Sequence, residues 1–155
     1  MLAVCFWYVP EQYAAEEVLV GGFIKVFQNI YQYKREGSFE GWIRRIMLNE
    51  ALSYLRTNKR VFQQVDLEVH AFHLASEANK HELDHGYILQ LVASLPAGYR
   101  TVFNLYALEG YSHKEIAQQL NITESTSKSQ LSRARSLLQT KLKKYEQETT
   151  CTTSN

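Results

Sequence analysis

Residues 111–135 constrain the fold most, because their spacing is that of two short helices joined by a tight turn. Ile116 and Leu120 lie about one helical turn apart with a small alanine beside the first, which is typical of a helix that a second helix crosses closely. Asn121 suits the left-handed backbone of a tight turn, and Thr123 can cap the helix that follows. The segment therefore predicts a helix-turn-helix, a unit that places its second helix in the major groove of DNA.

The second of these helices is polar and strongly biased towards positive charge. Glu124 is the only acidic residue between Thr123 and Tyr145. The basic residues in the same interval are Lys128, Arg133, Arg135, Lys141, Lys143 and Lys144. A helical hairpin with a solvated polar face is the alternative interpretation, and the bias in charge favours DNA binding over it.

Positive charge is gathered in two clusters rather than spread over the whole chain. The net charge of the 155 residues is only +1, which excludes a general polycation. One cluster is the polar helix above, and the other comprises Lys34, Arg35, Arg44, Arg45, Arg56, Lys59 and Arg60. Acidic residues gather between the two clusters, at Asp66, Glu68, Glu77, Glu82 and Asp84. Two basic lobes around an acidic middle suit a protein that contacts one nucleic acid at two places.

Cysteine usage and the N-terminal segment bear on where the chain resides. Cys5 and Cys151 form no paired motif, so neither a disulfide framework nor a zinc knuckle is predicted, and a reducing cytoplasm is the expected location. The apolar run in residues 1–9 follows no basic residue and is too short to cross a bilayer. It predicts a helix packed in a core, with no membrane insertion.

Apolar residues at helical spacing dominate the rest of the chain. A long helix is predicted over residues 16–33, with a buried face of Val18, Leu19, Phe23, Val26, Phe27 and Ile30. Ser38 can cap a second helix over residues 39–56, with a buried stripe of Phe39, Trp42, Ile43, Ile46, Met47, Ala51, Leu52 and Leu55. Further helices are predicted near residues 86–94, 99–109, 112–120 and 123–144.

The predicted fold is all-α, with two small helical domains of which the second contains the helix-turn-helix. The first domain is expected over residues 1–60 and the second over residues 87–145. Residues 61–86 lack sustained periodicity and are interpreted as a linker. Residues 146–155 are polar and rich in threonine, and they are expected to form a frayed tail.

One short pattern in the linker indicates a different chemistry. His81-Glu82-x-x-His85 matches the arrangement in which two histidines bind zinc and the glutamate activates water. A charged residue and a glycine flank the second histidine and disturb the helix that such a site needs. A zinc hydrolase is therefore a minor alternative, and a solvated, pH-sensitive linker surface is the simpler interpretation. No metal, cofactor or catalytic residue is predicted.

Residues 37–56, followed at a distance by residues 95–105 and the helix-turn-helix, resemble the extracytoplasmic-function group of bacterial sigma factors. The pattern Phe39-x-x-Trp42-Ile-x-Arg-Ile-x-x-Asn49 makes the resemblance specific, and it extends from about Leu2 to Tyr145. It implies a non-enzymatic subunit of RNA polymerase whose first domain reads and melts the minus-ten promoter element and whose second reads the minus-thirty-five element. A helix-turn-helix regulator that acts without polymerase is the alternative, and dimerisation on a palindrome would reveal it.

The resemblance assigns roles to side chains of the first domain. Trapping unstacked bases requires aromatic or amide groups amid positive charge. The minus-ten candidates are Trp42, Arg44, Arg45, Asn49, Arg56, Lys59 and Arg60. Asn49 matches the position that contacts the melted strand, and residues 59–66 match the loop that receives a flipped base. Trp42 could equally belong to the core, because its spacing with neighbouring apolar residues is that of packing.

In the second domain the resemblance implies contacts with duplex DNA. The minus-thirty-five candidates are Thr126, Lys128, Ser129, Gln130, Ser132, Arg133 and Arg135. Arg133 is suited to bidentate recognition of guanine, and Lys128 to either a phosphate or a base. Arg135 is interpreted as structural or as directed to a phosphate.

The resemblance also implies protein partners. RNA polymerase core would bind through the clamp helices of its beta-prime subunit and through its beta flap, and an anti-sigma factor is a further candidate partner. The core-binding candidates are Glu16, Glu17, Phe23 and Lys25. Val20-Gly21 stands where the family carries acidic and amide residues, and Met1 falls inside the family's first long helix. A first domain shortened at its N-terminus, with weaker polymerase binding, is therefore expected.

Overall fold

The computed structural model describes residues 1–58 and 85–152, and the regular elements in these ranges are helices. The chain divides into two compact units, Met1–Val65 and Asp66–Asn155. The first unit comprises α1 (Leu2–Tyr8), α2 (Gln12–Asn29), a 3₁₀ turn (Ile30–Gln32) and α3 (Phe39–Thr57). The second comprises α4 (His85–Ala93), α5 (Ala97–Ala107), α6 (His113–Leu120) and α7 (Glu124–Thr152). The predicted all-α fold with two helical domains is confirmed, and most of the predicted linker lies outside the described residues.

The N-terminal apolar segment forms α1, a short helix that packs against both α2 and α3. Pro10 lacks a backbone N–H and separates α1 from α2. Glu11 then caps α2, because its carboxylate accepts hydrogen bonds from the backbone N–H of Tyr13 at 3.0 Å and of Ala14 at 2.7 Å. As a result, α2 begins at Gln12, before the start predicted from the sequence. This start was missed because glutamate is not among the residues that strongly favour the N-cap position.

The buried face of α2 is made of small residues, namely Ala14, Ala15, Val18, Gly22 and Val26. The predicted face was therefore wrong in part, because Phe23, Phe27 and Ile30 are exposed. Ser38 caps α3 as predicted, and the buried residues of α3 are Met47, Leu48, Ala51, Leu52 and Leu55. Phe39 is exposed instead of buried, and Trp42, Ile43 and Ile46 are half-buried. Small residues let α2 and α3 approach closely, so the bulky side chains of α2 lie on its other side.

Gly22 marks a close approach of α2 to α3. A Cβ atom at this position would lie 2.3 Å from Sδ of Met47, whose side chain is fully buried. We expect Gly22→Ala to lower the free energy of unfolding of the first unit by about 1–3 kcal/mol, the usual effect of overpacking a core. Gly21→Ala is the matched control, because its Cβ would meet only the flexible carboxylate of Glu50, at 3.0 Å.

Urea denaturation followed by tryptophan fluorescence measures this change, since both tryptophans of the chain, Trp7 and Trp42, lie in the first unit. Gly21→Ala should be neutral or stabilising by up to about 1 kcal/mol, because alanine favours the helix. If Gly22→Ala unfolded at the same urea concentration as the wild-type chain, the core would have room for the methyl group and the packing argument would be wrong.

The second unit is organised around α5, which packs against both α6 and α7. Its buried apolar residues are Leu91, Leu95, Tyr99, Val102, Leu105, Ile116, Ala117, Leu120, Leu131 and Ala134. These residues come from all four helices of the unit, so the helix-turn-helix is supported by α4 and α5 rather than standing alone. None of the described helices is both long and apolar enough to cross a membrane.

The predicted helix-turn-helix is formed by α6 and α7. Ser112 and Glu115 make a capping box at the start of α6, and hydrogen bonds from Ser112 lower the pKa of the Glu115 carboxyl. Asn121 ends α6 in the predicted left-handed conformation, with φ 54° and ψ 48°. Thr123 caps α7 as predicted, because its Oγ1 accepts a hydrogen bond from the backbone N–H of Thr126 at 3.0 Å.

The last helix is longer than its sequence pattern indicates, since α7 extends to Thr152 rather than ending near residue 144. Residues 146–152, expected to form a frayed tail, are helical. The ring of Tyr145 contacts that of Tyr87 in α4, with 4.1 Å between centroids. This contact anchors the distal part of α7 to α4, and helical spacing within α7 could not reveal it.

Candidate nucleic-acid interface

The outer face of α3, opposite its buried stripe, carries four of the predicted minus-ten residues. Trp42, Arg45, Asn49 and Arg56 recur at intervals of three, four and seven residues, which places them on one side of the helix. The three polar members are exposed, and Trp42 is half-buried. The amide of Asn49 has no hydrogen-bond partner within the described part of the chain, so it is available to a ligand.

A groove of about 200 Å³ lies between α2 and α3 beside these residues. Its lining residues are Lys25, Asn29, Gln32, Trp42, Ile46 and Asn49. Nδ2 of Asn29 donates to the carbonyl of Lys25 at 2.8 Å, and Oδ1 of Asn29 accepts from Nε2 of Gln32 at 2.9 Å. Amides beside a tryptophan offer both hydrogen bonds and a stacking surface to a planar, polar ligand.

Three aromatic rings stand at the N-terminal end of α3. The ring centroid of Tyr33 lies 5.0 Å from that of Phe39 and 5.6 Å from that of Trp42, and Phe39 and Trp42 stack at 5.9 Å. The hydroxyl of Tyr33 donates to the carbonyl of Gly37 at 2.8 Å, which holds the preceding loop against the cluster. Tyr33 and Phe39 were not among the predicted contacts, because helical spacing assigned Phe39 to the core. Phe39 is nevertheless 43% exposed.

Arg44 does not belong to this outer face. Its guanidinium lies 4.9 Å from the ring centroid of Trp7 in α1, in a cation–π contact. Because consecutive residues of a helix point about 100° apart, Arg44 packs within the unit while Arg45 faces solvent. The remaining minus-ten candidates, Lys59 and Arg60, lie outside the described residues.

The side of α2 that faces away from α3 is apolar. Its exposed residues Val20, Ile24 and Phe27, together with Tyr31 of the adjoining 3₁₀ turn, recur at helical spacing and are 51% to 78% exposed. These four residues are called here the outer stripe. Of the predicted polymerase-binding residues, Glu16 and Glu17 are exposed just before the stripe, and the ring of Phe23 contacts that of Phe27. Lys25 lies on another flank of α2, in the groove, where it forms an ion pair with Glu50.

The outer face of α7 is rich in hydroxyl groups. The buried side of the helix carries Ser127, Leu131 and Ala134, and the exposed side opposite carries Ser125, Ser129, Ser132 and Ser136. Ser125 and Ser136 were not among the predicted contacts. Lys128 and Arg135 flank these serines on one side and Arg133 on the other. Lys128 lies 3.9 Å from the carboxylate of Glu124, an exposed pair that restrains the lysine little.

Two of the predicted minus-thirty-five contacts are half-buried in the described structure. Oγ1 of Thr126 lies 2.8 Å from Oγ1 of Thr123 and so takes part in the N-terminal cap of α7. Oε1 of Gln130 is buried, without a hydrogen-bond partner among the described residues. The exposed candidates on α7 are therefore Lys128, Ser129, Ser132, Arg133 and Arg135.

Comparison with known proteins agrees with this arrangement of two helical units. Residues 1–61 match the family profile described as Sigma-70 region 2, and residues 85–138 match that of Sigma-70 region 4. The sigma factor SigE of Mycolicibacterium smegmatis is 32% identical over 143 residues, which are 89% of this chain and 55% of the relative. The sigma factor SigM of Bacillus subtilis is 28% identical over 130 residues, covering 83% and 79%. The chain belongs to the extracytoplasmic-function sigma factors.

A solved structure of the same family is similar along most of the chain. The sigma factor RpoE of Bartonella quintana, in complex with the anti-sigma factor NepR, aligns with a TM-score of 0.55 and 26% identity, covering 92% of this chain and 89% of that one. This sigma factor spans about half the length of its mycobacterial relative. The predicted class of function, a DNA-binding subunit that acts with RNA polymerase in transcription initiation, is confirmed.

Two cations of this sigma factor have structural partners instead of facing DNA. Arg100 is only 5% exposed, and its Nη1 donates to the carbonyl oxygens of Ala93 at 3.1 Å and Leu95 at 2.8 Å. Burial lowers the pKa of Arg100 to about 10, so the group remains protonated at neutral pH. Nζ of Lys141 donates to the hydroxyl of Ser94, and burial lowers the pKa of this lysine as well. Both side chains bind the end of α4 to its neighbours.

The zinc-binding pattern of the sequence falls mostly outside the described residues, which do not include His81 or Glu82. The third member of the pattern, His85, is the first residue of α4. Among the residues that the structure describes, no group of three or more histidine, cysteine or acidic side chains could hold a metal ion.

Proposed function

We propose that this sigma factor is a non-enzymatic, promoter-directing subunit with one surface for RNA polymerase and two for DNA. The polymerase core binds the outer stripe of α2, a melted strand lies along the outer face of α3, and α7 enters the major groove of the upstream duplex. One observation carries the proposal most: the unpartnered amide of Asn49 lines a groove with Trp42, on a helix that also exposes Arg45 and Arg56. A cytoplasmic location follows from a chromosomal target.

The outer face of α3 suits single-stranded DNA. Bases of a melted strand expose their flat faces to aromatic rings, a contact worth about 1–3 kcal/mol per base. Phe39 is exposed at the end of the aromatic cluster and can provide this contact. Arg45 and Arg56 supply positive charge for the phosphates. The amide of Asn49 can both donate and accept hydrogen bonds at a base edge.

Arg44 and Lys25 have other roles in this proposal. Arg44 stabilises α1 against α3 through Trp7 and does not contact the melted strand. Lys25 lines the groove with Asn49, so it acts on the DNA side of the first unit rather than in the contact with polymerase. Its ion pair with Glu50 keeps the ammonium group at the edge of that groove.

The outer stripe of α2 suits a protein partner. A row of large, exposed apolar side chains does not contribute to the core of the unit, and contiguous apolar patches mark interaction surfaces. Glu16 and Glu17 border the stripe, and their negative charge disfavours nucleic acid there. Val20 belongs to the stripe, so the departure from the family pattern at this position enlarges the apolar surface offered to polymerase.

The outer face of α7 suits duplex DNA. Short serine hydroxyls can donate to or accept from base edges without keeping the helix out of the groove. Lys128 and Arg135 on one flank can reach the phosphates of one strand. Arg133 on the other flank is the side chain suited to a guanine.

An anti-sigma protein is a further proposed partner. The argument is the solved complex of the Bartonella sigma factor with NepR, which resembles this chain over most of its length. A protein that binds this chain and prevents its association with polymerase core would support this proposal. A protein that binds this chain but leaves its association with polymerase core intact would contradict it.

Co-purification of the full chain with RNA polymerase core, followed by run-off transcription, tests the proposed function. We expect a stable complex and transcripts that depend on the added chain. Binding to a palindromic duplex as a dimer, with no association with polymerase, would instead indicate a regulator that acts alone.

Ile24→Asp combined with Phe27→Asp tests the assignment of the outer stripe. Both side chains are exposed, so the unit should still fold, and polymerase association should weaken about 10-fold or more because charge is introduced into an apolar contact. Gln12→Asp combined with Gln28→Asp adds the same charge to exposed polar positions of α2 and is the matched control. An equal loss in both variants would show that charge on α2, and not the stripe, governs the association.

A further inference from the structure

Each arginine that flanks the serines of α7 contacts a tyrosine of α5. Nη1 of Arg133 donates a hydrogen bond to the hydroxyl of Tyr99 at 3.3 Å. The guanidinium of Arg135 lies 5.6 Å from the ring centroid of Tyr106, seven residues further along α5. The two tyrosines therefore lie on the same side of α5, the side that meets α7.

The two contacts differ in how firmly they hold the arginine. Tyr99 is 6% exposed, so its ring is fixed by the core and its hydroxyl is a fixed acceptor. Tyr106 is 38% exposed, and its ring also stacks on that of His113 at 4.9 Å. A hydrogen bond to one nitrogen constrains the plane of a guanidinium, whereas a cation–π contact tolerates a range of orientations. Of the two tyrosines, Tyr99 is therefore the one that can fix the orientation of its arginine partner, Arg133.

On the basis of the function proposed for α7, we propose that Tyr99 is a positioning residue for the contact of Arg133 with DNA. Bidentate recognition of guanine requires the guanidinium to lie in the plane of the base, so an arginine held in one orientation discriminates better than one that samples many. By orienting the guanidinium of Arg133 from its position on α5, Tyr99 sharpens the preference of α7 for one base pair of the minus-thirty-five element. Tyr99 does not contact DNA itself.

A double-mutant cycle on the full chain tests this role. The probe is a DNA duplex that the wild-type chain selects from a randomised pool, compared with its single-base variants. Tyr99→Phe keeps the buried ring and removes the hydroxyl, and we expect about 3- to 10-fold weaker binding to the selected duplex. We expect the lost preference to fall on the same base pair that Arg133→Ala relaxes. In the Arg133→Ala background, Tyr99→Phe should have no further effect.

Tyr111→Phe is the matched control, because it removes, from a half-buried tyrosine in the same unit, a hydroxyl with no hydrogen-bond partner among the described residues. It should leave affinity and base preference unchanged. An effect of Tyr99→Phe that persists in the Arg133→Ala background, or that weakens all duplexes equally, would overturn the positioning role. So would a lowered melting temperature with unchanged base preference. A lack of any effect of Arg133→Ala alone would instead contradict the proposed base contact, which distinguishes the two failures.

Discussion

Arg100→Ala is expected to lower the free energy of unfolding of the second unit by about 2–4 kcal/mol. The guanidinium is buried and donates to the carbonyl oxygens of Ala93 and Leu95 at the end of α4. Alanine would leave both carbonyls without this donor and would open a cavity beside α5. Because burial lowers the pKa of Arg100 only to about 10, the lost hydrogen bonds are charge-assisted at neutral pH.

Two spectroscopic probes can assign this loss to the second unit. Tryptophan fluorescence reports only the first unit, where both tryptophans lie, whereas far-ultraviolet circular dichroism reports both units. In Arg100→Ala part of the dichroism transition should move to lower urea while the fluorescence transition stays in place. Lys114→Ala, an exposed change on α6, should move neither. Unshifted transitions in Arg100→Ala would mean that water replaces the guanidinium at these carbonyls with no loss of stability.

Phe39→Ala combined with Asn49→Ala is expected to reduce open-complex formation on the order of 100-fold and to leave binding to the upstream duplex unchanged. The first substitution removes the exposed stacking surface, and the second removes the unpartnered amide in the groove. Both side chains are exposed, so the first unit should remain folded.

Permanganate reactivity of promoter thymines, in the complex with polymerase, measures this melting. Ser53→Ala lies on the same face of α3, about one turn beyond Asn49, and controls for the loss of a small polar group. Circular dichroism checks the fold, and co-purification checks that polymerase still binds. Undiminished thymine reactivity in the double variant, with both checks passed, would remove the outer face of α3 from the DNA site.

The helix-turn-helix was predictable because each of its signals is local. Asn121 tolerates the left-handed turn, and Thr123 has the hydroxyl that a helix N-terminus needs. Such features depend on a few neighbouring residues, so they are present in the sequence before any tertiary contact forms. The same holds for Ser38 at the start of α3.

The buried side of α2 was not predictable in the same way, because apolar residues occur on both sides of this helix. Periodicity favoured the bulky Phe23 and Phe27, yet the helix buries alanines, valines and Gly22. The close approach of Gly22 to Met47 determines which side of α2 is buried, since a larger side chain at position 22 would collide with Met47. That distance involves a residue on another helix, and no pattern within α2 contains it.

Sequence alone was sufficient for the family and the helical class, because these depend on local spacing and residue chemistry. Only the tertiary structure decided which individual side chains are exposed and which are held by contacts within the protein. Arg44 packs on Trp7 while Arg45 is exposed, and Arg100 is buried at the end of α4. The orientation of a long side chain depends on partners that are distant in the sequence, as Tyr99 is from Arg133. Burial and orientation are therefore properties of the packed helices, and they arise only when α1 meets α3 and α5 meets α7.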